Sequence, residues 1–258
     1  MRRWFIQIVL ALLVCGLALA SLVALGQYFR RHLRDDPRYY FPLAEIECPS
    51  PPGVDRVAFL SEVQYIGGLP EQVSLLDDSL AERLAAAFAR HAWVERVVRA
   101  EVGPGRRIRV QLEFRRPVLA VSFSDKTTAT RAVDRQGILL PREADTKPLP
   151  TLIGIFPPPI AGPGRAWGDP EVEAAARVAA LLEPHQTRLQ LQALQWSNGT
   201  LRLGRDDFRA GPLVIWGRGL GDEVVDEPPA EEKLRRLLGM ELRQGSLRSN
   251  EILDLTKR

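Results

Sequence analysis

Residues 92–118 read AWVERVVRAEVGPGRRIRVQLEFRRPV, and the fold turns on this stretch. Ile108, Val110, Leu112 and Phe114 alternate strictly with Arg109, Gln111, Glu113 and Arg115, the period of a strand with one covered face. Trp93 to Val102 supplies a second strand across the turn Gly103-Pro104-Gly105, and Arg116-Pro117 closes the hairpin. Just upstream, Ser79-Leu80-Ala81-Glu82 has capping-box spacing. Leu76, Leu80, Leu84, Ala87 and Phe88 recur at three and four residues, which predicts a helix whose apolar face needs a sheet to cover. Val57 to Ile66 has strand character and is stopped by Gly67-Gly68-Leu69-Pro70. The expectation is a strand–helix–hairpin unit over residues 54–117.

Downstream, Val118 to Phe123, Ala132-Val133 and Ile138-Leu139-Leu140 read as short strands, the last two joined by a turn at Asp134-Arg135-Gln136-Gly137. Asp169-Pro170 starts a helix, with the aspartate as cap and proline at the first helical position, and Pro184 ends it. Leu189 to Trp196 and Thr200 to Leu203 flank Asn198-Gly199, the strongest short hairpin signal. Leu213 to Trp216, a helix from about Ala230 to Met240 and a final strand Ile252 to Leu255 complete the pattern. The fold class is therefore α+β, with a larger mixed β-sheet domain carrying two helices over residues 118–258.

The N-terminus differs in kind. From Trp4 to Phe29 the chain is apolar except for Gln7, and Ile8 to Leu25 carries no charge. A hydrocarbon core of roughly 30 Å needs about 20 such residues as helix, so residues 1–29 read as a short cytoplasmic stub and a transmembrane signal anchor. Trp4, Phe5, Tyr28 and Phe29 stand where interfacial aromatics belong. A cleaved signal peptide is the rival, since Arg2 and Arg3 precede the run and Ala18-Leu19-Ala20 fits a cleavage site. Apolar residues nevertheless continue through Leu25, which favours the anchor. A plain count of Arg30, Arg31, Arg34 and Arg38 against Arg2 and Arg3 opposes export, but long domains are translocated largely regardless of charge. Residues 30–53, ending in Pro49-Ser50-Pro51-Pro52-Gly53, read as a proline-rich linker.

Composition excludes several kinds of chemistry. The 258 residues include 35 Lys+Arg against 32 Asp+Glu, a formal charge of +3, too small and dispersed to argue for nucleic acid. Cys15 and Cys48, with His32, His91 and His185, have no metal-ligand spacing. Asp77-Asp78 sits at a helix N-terminus, where negative charge is favoured anyway, and Asp206-Asp207 reads as a turn. Gly217-Arg218-Gly219-Leu220-Gly221 lacks phosphate-loop spacing and precedes Asp222-Glu223, so it reads as a flexible loop. Among Arg106, Arg107, Arg109, Arg115 and Arg116, alternation puts Arg107, Arg109 and Arg115 on a solvated face. No serine or histidine falls in a hydrolase arrangement, and neither an enzyme nor a cofactor is expected.

Several short motifs, in order, resemble the FtsQ/DivIB family of bacterial cell-division proteins. Ala92-Trp93-Val94-Glu95 and Phe114-Arg115-Arg116-Pro117-Val118 resemble its Pro-Trp-Val and Glu-Arg-x-Pro-Val-Ala, which close a POTRA domain, with Ala92 and Phe114 departing from that text. Val133-Asp134-Arg135-Gln136-Gly137 resembles its Val-Asp-x-x-Gly, and Leu149-Pro150-Thr151-Leu152-Ile153-Gly154 its Leu-Pro-x-Leu-x-Gly. Glu232-Lys233-Leu234 and Ile252-Leu253-Asp254-Leu255 resemble its late helix and terminal strand, with Thr256 where arginine is usual. Trp93, Val94, Arg116 and Pro117 are the POTRA motif positions. Because Gly67 to Leu76 is too short and proline-broken for a full first POTRA helix, that domain is expected in abbreviated form.

The resemblance implies a non-catalytic divisome scaffold at the inner membrane, with its N-terminus in the cytoplasm and its bulk in the periplasm at the septum. It would bind single-pass division proteins of the FtsB/FtsL type, and no nucleic acid or small-molecule substrate. The expected partner-binding residues are Glu251, Ile252, Leu253, Asp254 and Leu255 on an open sheet edge, with Glu232, Lys233, Arg236 and Arg243 of the preceding helix as a polar rim around Leu234, Leu237 and Leu238. The alternative is a POTRA-containing envelope or secretion assembly protein that binds unfolded chains.

Overall fold

A computed structural model describes residues 13–26, 28, 36–122, 130–205, 208, 213–244 and 252–257, the side chains of 241–244 excepted. Residues 13–26 are helical with exposed side chains. Residues 4–12, 27 and 29 of the expected span lie outside the described residues, and among those described no helix is long and apolar enough to cross a membrane. The chain divides into two compact units, the first built from 55–90 and 97–112 with the residues up to Ser50, the second from 51–54, 91–96 and the residues from Glu113 onward.

In the first unit the order is β1 (Tyr40–Pro42), α1 (Arg56–Gly67), β2 (Gln72–Ser74) and α2 (Leu80–Ala89), followed by the hairpin β3 (Val94–Gly103) and β4 (Arg107–Phe114), whose outer ends belong to the second unit. The expected strand over Val57 to Ile66 is a helix. Asp55 accepts from the Val57 and Ala58 amides as its N-cap, and Gly68 closes it in the left-handed conformation. Phe59, Leu60 and Val63 are buried at helical spacing, while Val57 and Tyr65 face out. The glycine pair read as a strand stop is a helix C-cap, so the first helix is present and the unit is not abbreviated in the way expected.

Residues 36–47 are likewise built into this unit rather than forming a linker. β1 pairs antiparallel with β2, the Glu47 amide donates to Ile108 O at 2.9 Å, and Phe41, Leu43 and Ile46 are buried. The hairpin follows its sequence pattern, with Ile108 and Val110 inside and Arg107 and Arg109 exposed. Phe59 and Phe88 meet as a tilted pair 5.9 Å apart, joining the two helices.

The second unit is α+β around a seven-stranded mixed sheet. Its strands are β5 (Leu119–Ser122), β6 (Thr130–Val133), β7 (Thr151–Ile153), β8 (Ala193–Ser197), β9 (Thr200–Gly204), β10 (Leu213–Gly217) and β11 (Ile252–Asp254). They lie in the order β11-β10-β9-β8-β7-β5-β6. The pairs β5–β7, β7–β8 and β10–β11 are parallel and the others antiparallel. Three helices accompany it, α3 (Pro170–Leu182), the short α4 (Gln186–Leu189) and α5 (Ala230–Gln244), one more than expected. Asp169 caps α3 through the Glu171 and Val172 amides, with Pro170 at its start. Val172, Ala175 and Ala179 of α3 and Leu237 of α5 share one core with Leu152, Leu194, Leu203, Val214 and Trp216 of the sheet. Asn198 and Gly199 both have positive φ, 55° and 70°, as a two-residue β8–β9 turn demands.

The Asp134 turn explains the motif around it. Its carboxylate is buried, with Oδ1 accepting from the Gln136 and Ile138 amides at 2.8 and 2.9 Å and Oδ2 from Arg115 Nη1 at 2.7 Å. Arg115 is therefore not on a solvated face, and its side chain is only 14% exposed. Gly137 has φ +75°, and a Cβ there would lie 2.8 Å from Glu173 Cα. Asp134→Ala orphans two amides and a partly buried guanidinium, and the expected cost is about 2 kcal/mol, read as a lowered chemical-denaturation midpoint.

Candidate functional site: the β11 edge

Among the described residues β11 ends the sheet and pairs with β10 alone, Leu213 opposite Ile252, Val214 opposite Leu253 and Ile215 opposite Asp254. The Leu255 amide donates to Ile215 O at 3.0 Å. By the two-residue period of a strand, the main-chain groups of Leu253 also face β10, and those of Ile252 and Asp254 face away from the sheet. The outer edge is therefore a row of main-chain donors and acceptors, with the Ile252 side chain 67% exposed beside it. Asp254 stiffens its end. The Thr256 hydroxyl at 2.6 Å, the Thr256 amide at 3.0 Å and Lys257 hold the Asp254 carboxyl below the usual carboxylate range.

The expected residues separate into those that reach this edge and those that do not. Ile252 is exposed, and Leu253 and Asp254 are half-buried. Leu255 is 1% exposed and belongs to the core, because it lies one residue beyond β11 on the covered face. Glu232 and Arg236 form an ion pair one helical turn apart on α5, and Arg236 Nη1 also donates to Lys257 O at 2.6 Å, tying the helix to the segment after β11. Glu251 and the Arg243 side chain lie outside the described residues.

Lys233 is not a rim residue. Its side chain is fully buried, with Nζ 2.6 Å from Glu227 Oε1 and 5.4 Å from the Trp216 ring centroid. Ala230, Lys233 and Leu237 recur at three and four residues, so Lys233 shares the inward stripe of α5. Glu227 also accepts from the Arg218 amide at 2.8 Å and the Val224 amide at 3.4 Å. Burial pushes its carboxyl up, but the Lys233 hydrogen bond, the Arg218 amide, the Lys233 charge and the Val224 amide outweigh it and hold the group below its ordinary value. The glycine-rich loop thus closes on an anion supplied by the chain itself, and at its start it is not the free loop expected. Glu227 is the residue that sequence reasoning missed.

Trp93 is 5% exposed in a small core with Ala132, Leu140 and Ala144, and Val94 is buried beside it. Arg116 is exposed and Pro117 half-buried at the exit of β4. All four fall in the second unit, where Trp93 and Val94 are core residues. Asp77 is engaged by the Ser79 hydroxyl at 2.6 Å and by Arg83, whereas Asp206 and Asp207 lie outside the described residues. Among the described residues no group of histidine, cysteine and carboxylate side chains could hold a metal ion. No protein-family model and no curated protein matches the chain.

Proposed function

We propose that this chain is a non-catalytic divisome scaffold of the FtsQ/DivIB kind, anchored in the inner membrane through residues 4–29 with its bulk in the periplasm at the septum. Its role would be to bind single-pass division proteins of the FtsB/FtsL type and so recruit or regulate septal wall synthesis. The observation that carries the reading is the outer edge of β11, where Ile252 and Asp254 turn main-chain groups that pair with nothing among the described residues away from β10, beside an exposed isoleucine. A partner strand can add there by main-chain hydrogen bonds while flanking side chains set the choice. Order of motifs supports the family reading, and the helix–strand–helix–hairpin order of the first unit supplies the helix that the sequence reading lacked.

Ile252→Pro removes one outward amide and leaves the β10 contacts of Leu253 and Leu255 in place. Its expected result is loss of partner pull-down, with a thermal midpoint close to that of the parent. Unchanged pull-down removes the edge from the mechanism. Imaging of a fluorescent fusion tests the cellular role, where a midcell band supports division and an even peripheral signal favours the envelope-assembly reading.

A further inference from the structure

We propose that the tip of the β3–β4 hairpin is a second membrane contact, in which Arg38, Arg106 and Arg107 engage the anionic phospholipid headgroups of the bilayer that anchors the chain. The proposal rests on the anchoring reading above. Its first support is position. Arg106 Nη2 donates to Tyr40 O at 2.8 Å, so the hairpin tip is fixed beside the segment that follows the apolar run. Only ten residues separate Phe29 from Tyr40 (positions 30 to 39). At about 3.5 Å per residue, the tip lies no farther than roughly 40 Å from the end of that run even if the chain between them is fully extended.

Charge is the second support. Arg38, Arg106 and Arg107 are exposed, and no carboxylate among the described residues pairs with any of them. Arg109, two positions along the same strand, is neutralised by Glu47 at 2.8 Å. The acidic group next to the cluster is Asp36, whose Oδ1 accepts from the Arg38 amide at 2.9 Å. The third support is conformation. Arg106 sits in the left-handed region at φ 58°, directly after Gly105 at φ 76°, where glycine or asparagine is the relaxed choice. Arg106 thus occupies a strained turn position, with its guanidinium reaching back to Tyr40. Val102, 37% exposed, and Pro104 add apolar surface among the arginines, the mixture that suits a headgroup boundary. Each basic residue at an anionic surface contributes about fivefold, so three favour the docked tip by roughly a hundredfold at low ionic strength.

The test uses the full chain in nanodiscs of phosphatidylcholine, with or without phosphatidylglycerol, and an environment-sensitive fluorophore on P104C in a C15S/C48S background. Expected is a blue shift, with quenching by headgroup-quencher lipid, in the phosphatidylglycerol discs alone. High salt and the triple variant R38E/R106E/R107E should abolish both, while R38K/R106K/R107K keeps them. A probe that reports bulk water in anionic discs, or equal quenching in both lipids, overturns the proposal while leaving the anchor intact. Release of the chain from membranes by alkaline carbonate overturns the anchor, and with it this contact.

Discussion

Lys233→Met is expected to lower the stability of the second unit by about 3–5 kcal/mol, the range for breaking a buried ion pair from one side. Methionine preserves most of the stem that fills the space over Trp216 but removes the only side-chain cation bonded to Glu227 among the described residues. The Glu227 side chain, 4% exposed, is left with two amide donors, and the burial that those donors and Lys233 jointly overcame becomes decisive. The sign with pH follows. In the parent protein the folded Glu227 carboxyl is depressed, so its stabilisation is present above the ordinary carboxylate range and is lost as pH falls through the depressed folded value. In the variant the lowering influence of Lys233 is gone and burial raises the Glu227 carboxyl, so the deficit relative to the parent is largest near neutral pH and shrinks as pH falls and the carboxyl protonates. Denaturant titrations from neutral to acid pH measure both effects. E227Q/K233M should recover part of the loss, since an uncharged pair has far less hydration to give up. A K233M protein with the parent's midpoint and acid limb would remove the pair from the fold's support.

Gly217→Ala is expected to cost about 3 kcal/mol through overpacking and backbone strain combined. At φ +96° an alanine Cβ would stand 1.9 Å from Glu227 Oε1 and 2.9 Å from Thr256 Cγ2, so the carboxylate or the segment after β11 must move. Gly221→Ala is the control. It too has positive φ, at +84°, but meets nothing within 4 Å, and should cost only about 1 kcal/mol. The difference between the two melts isolates the clash. Because Thr256 directly follows the Leu255 that ties β11 to Ile215, G217A is also expected to weaken partner capture at the edge, whereas G221A leaves capture unchanged.

Elements announced by local chemistry were legible in the amino-acid order. Asp169-Pro170, Asn198-Gly199 and the alternation through Ile108 to Phe114 each fix backbone geometry within a few residues, and each was found where its chemistry put it. Val57 to Ile66 reads as a strand because its apolar residues fit either period. The deciding signals were Asp55 and Gly68 at the two ends, both of which are helix caps. Lys233 lies inward against its sequence context for another reason. It stands among Glu231, Glu232, Arg235 and Arg236, and charge density suggested solvent, although its spacing from Ala230 and Leu237 put it on the inward stripe. Pairing Glu227 with it required knowing that the loop after β10 folds back over the helix start. The free edge itself was legible only as an apolar terminal strand, since its parallel pairing with β10 is a long-range contact across all of α5.

Parallel pairing has a mechanical consequence. A partner pulling along the axis of β11 loads its bonds to β10 together in shear, whereas a pull across the sheet opens them one after another from an end. The strand is short, and its resistance to peeling falls chiefly on two bolts at one end, Leu255 seated in the core and Arg236 gripping the Lys257 carbonyl. Ile252 lies farthest from both. Tension applied at Ile252 across the sheet would unzip the edge toward these bolts, and tension along the strand would be passed through β10 into the body of the sheet. If a partner strand docks there as proposed, the edge would act as a directional coupling, firm to a load drawn lengthwise and yielding to one drawn sideways.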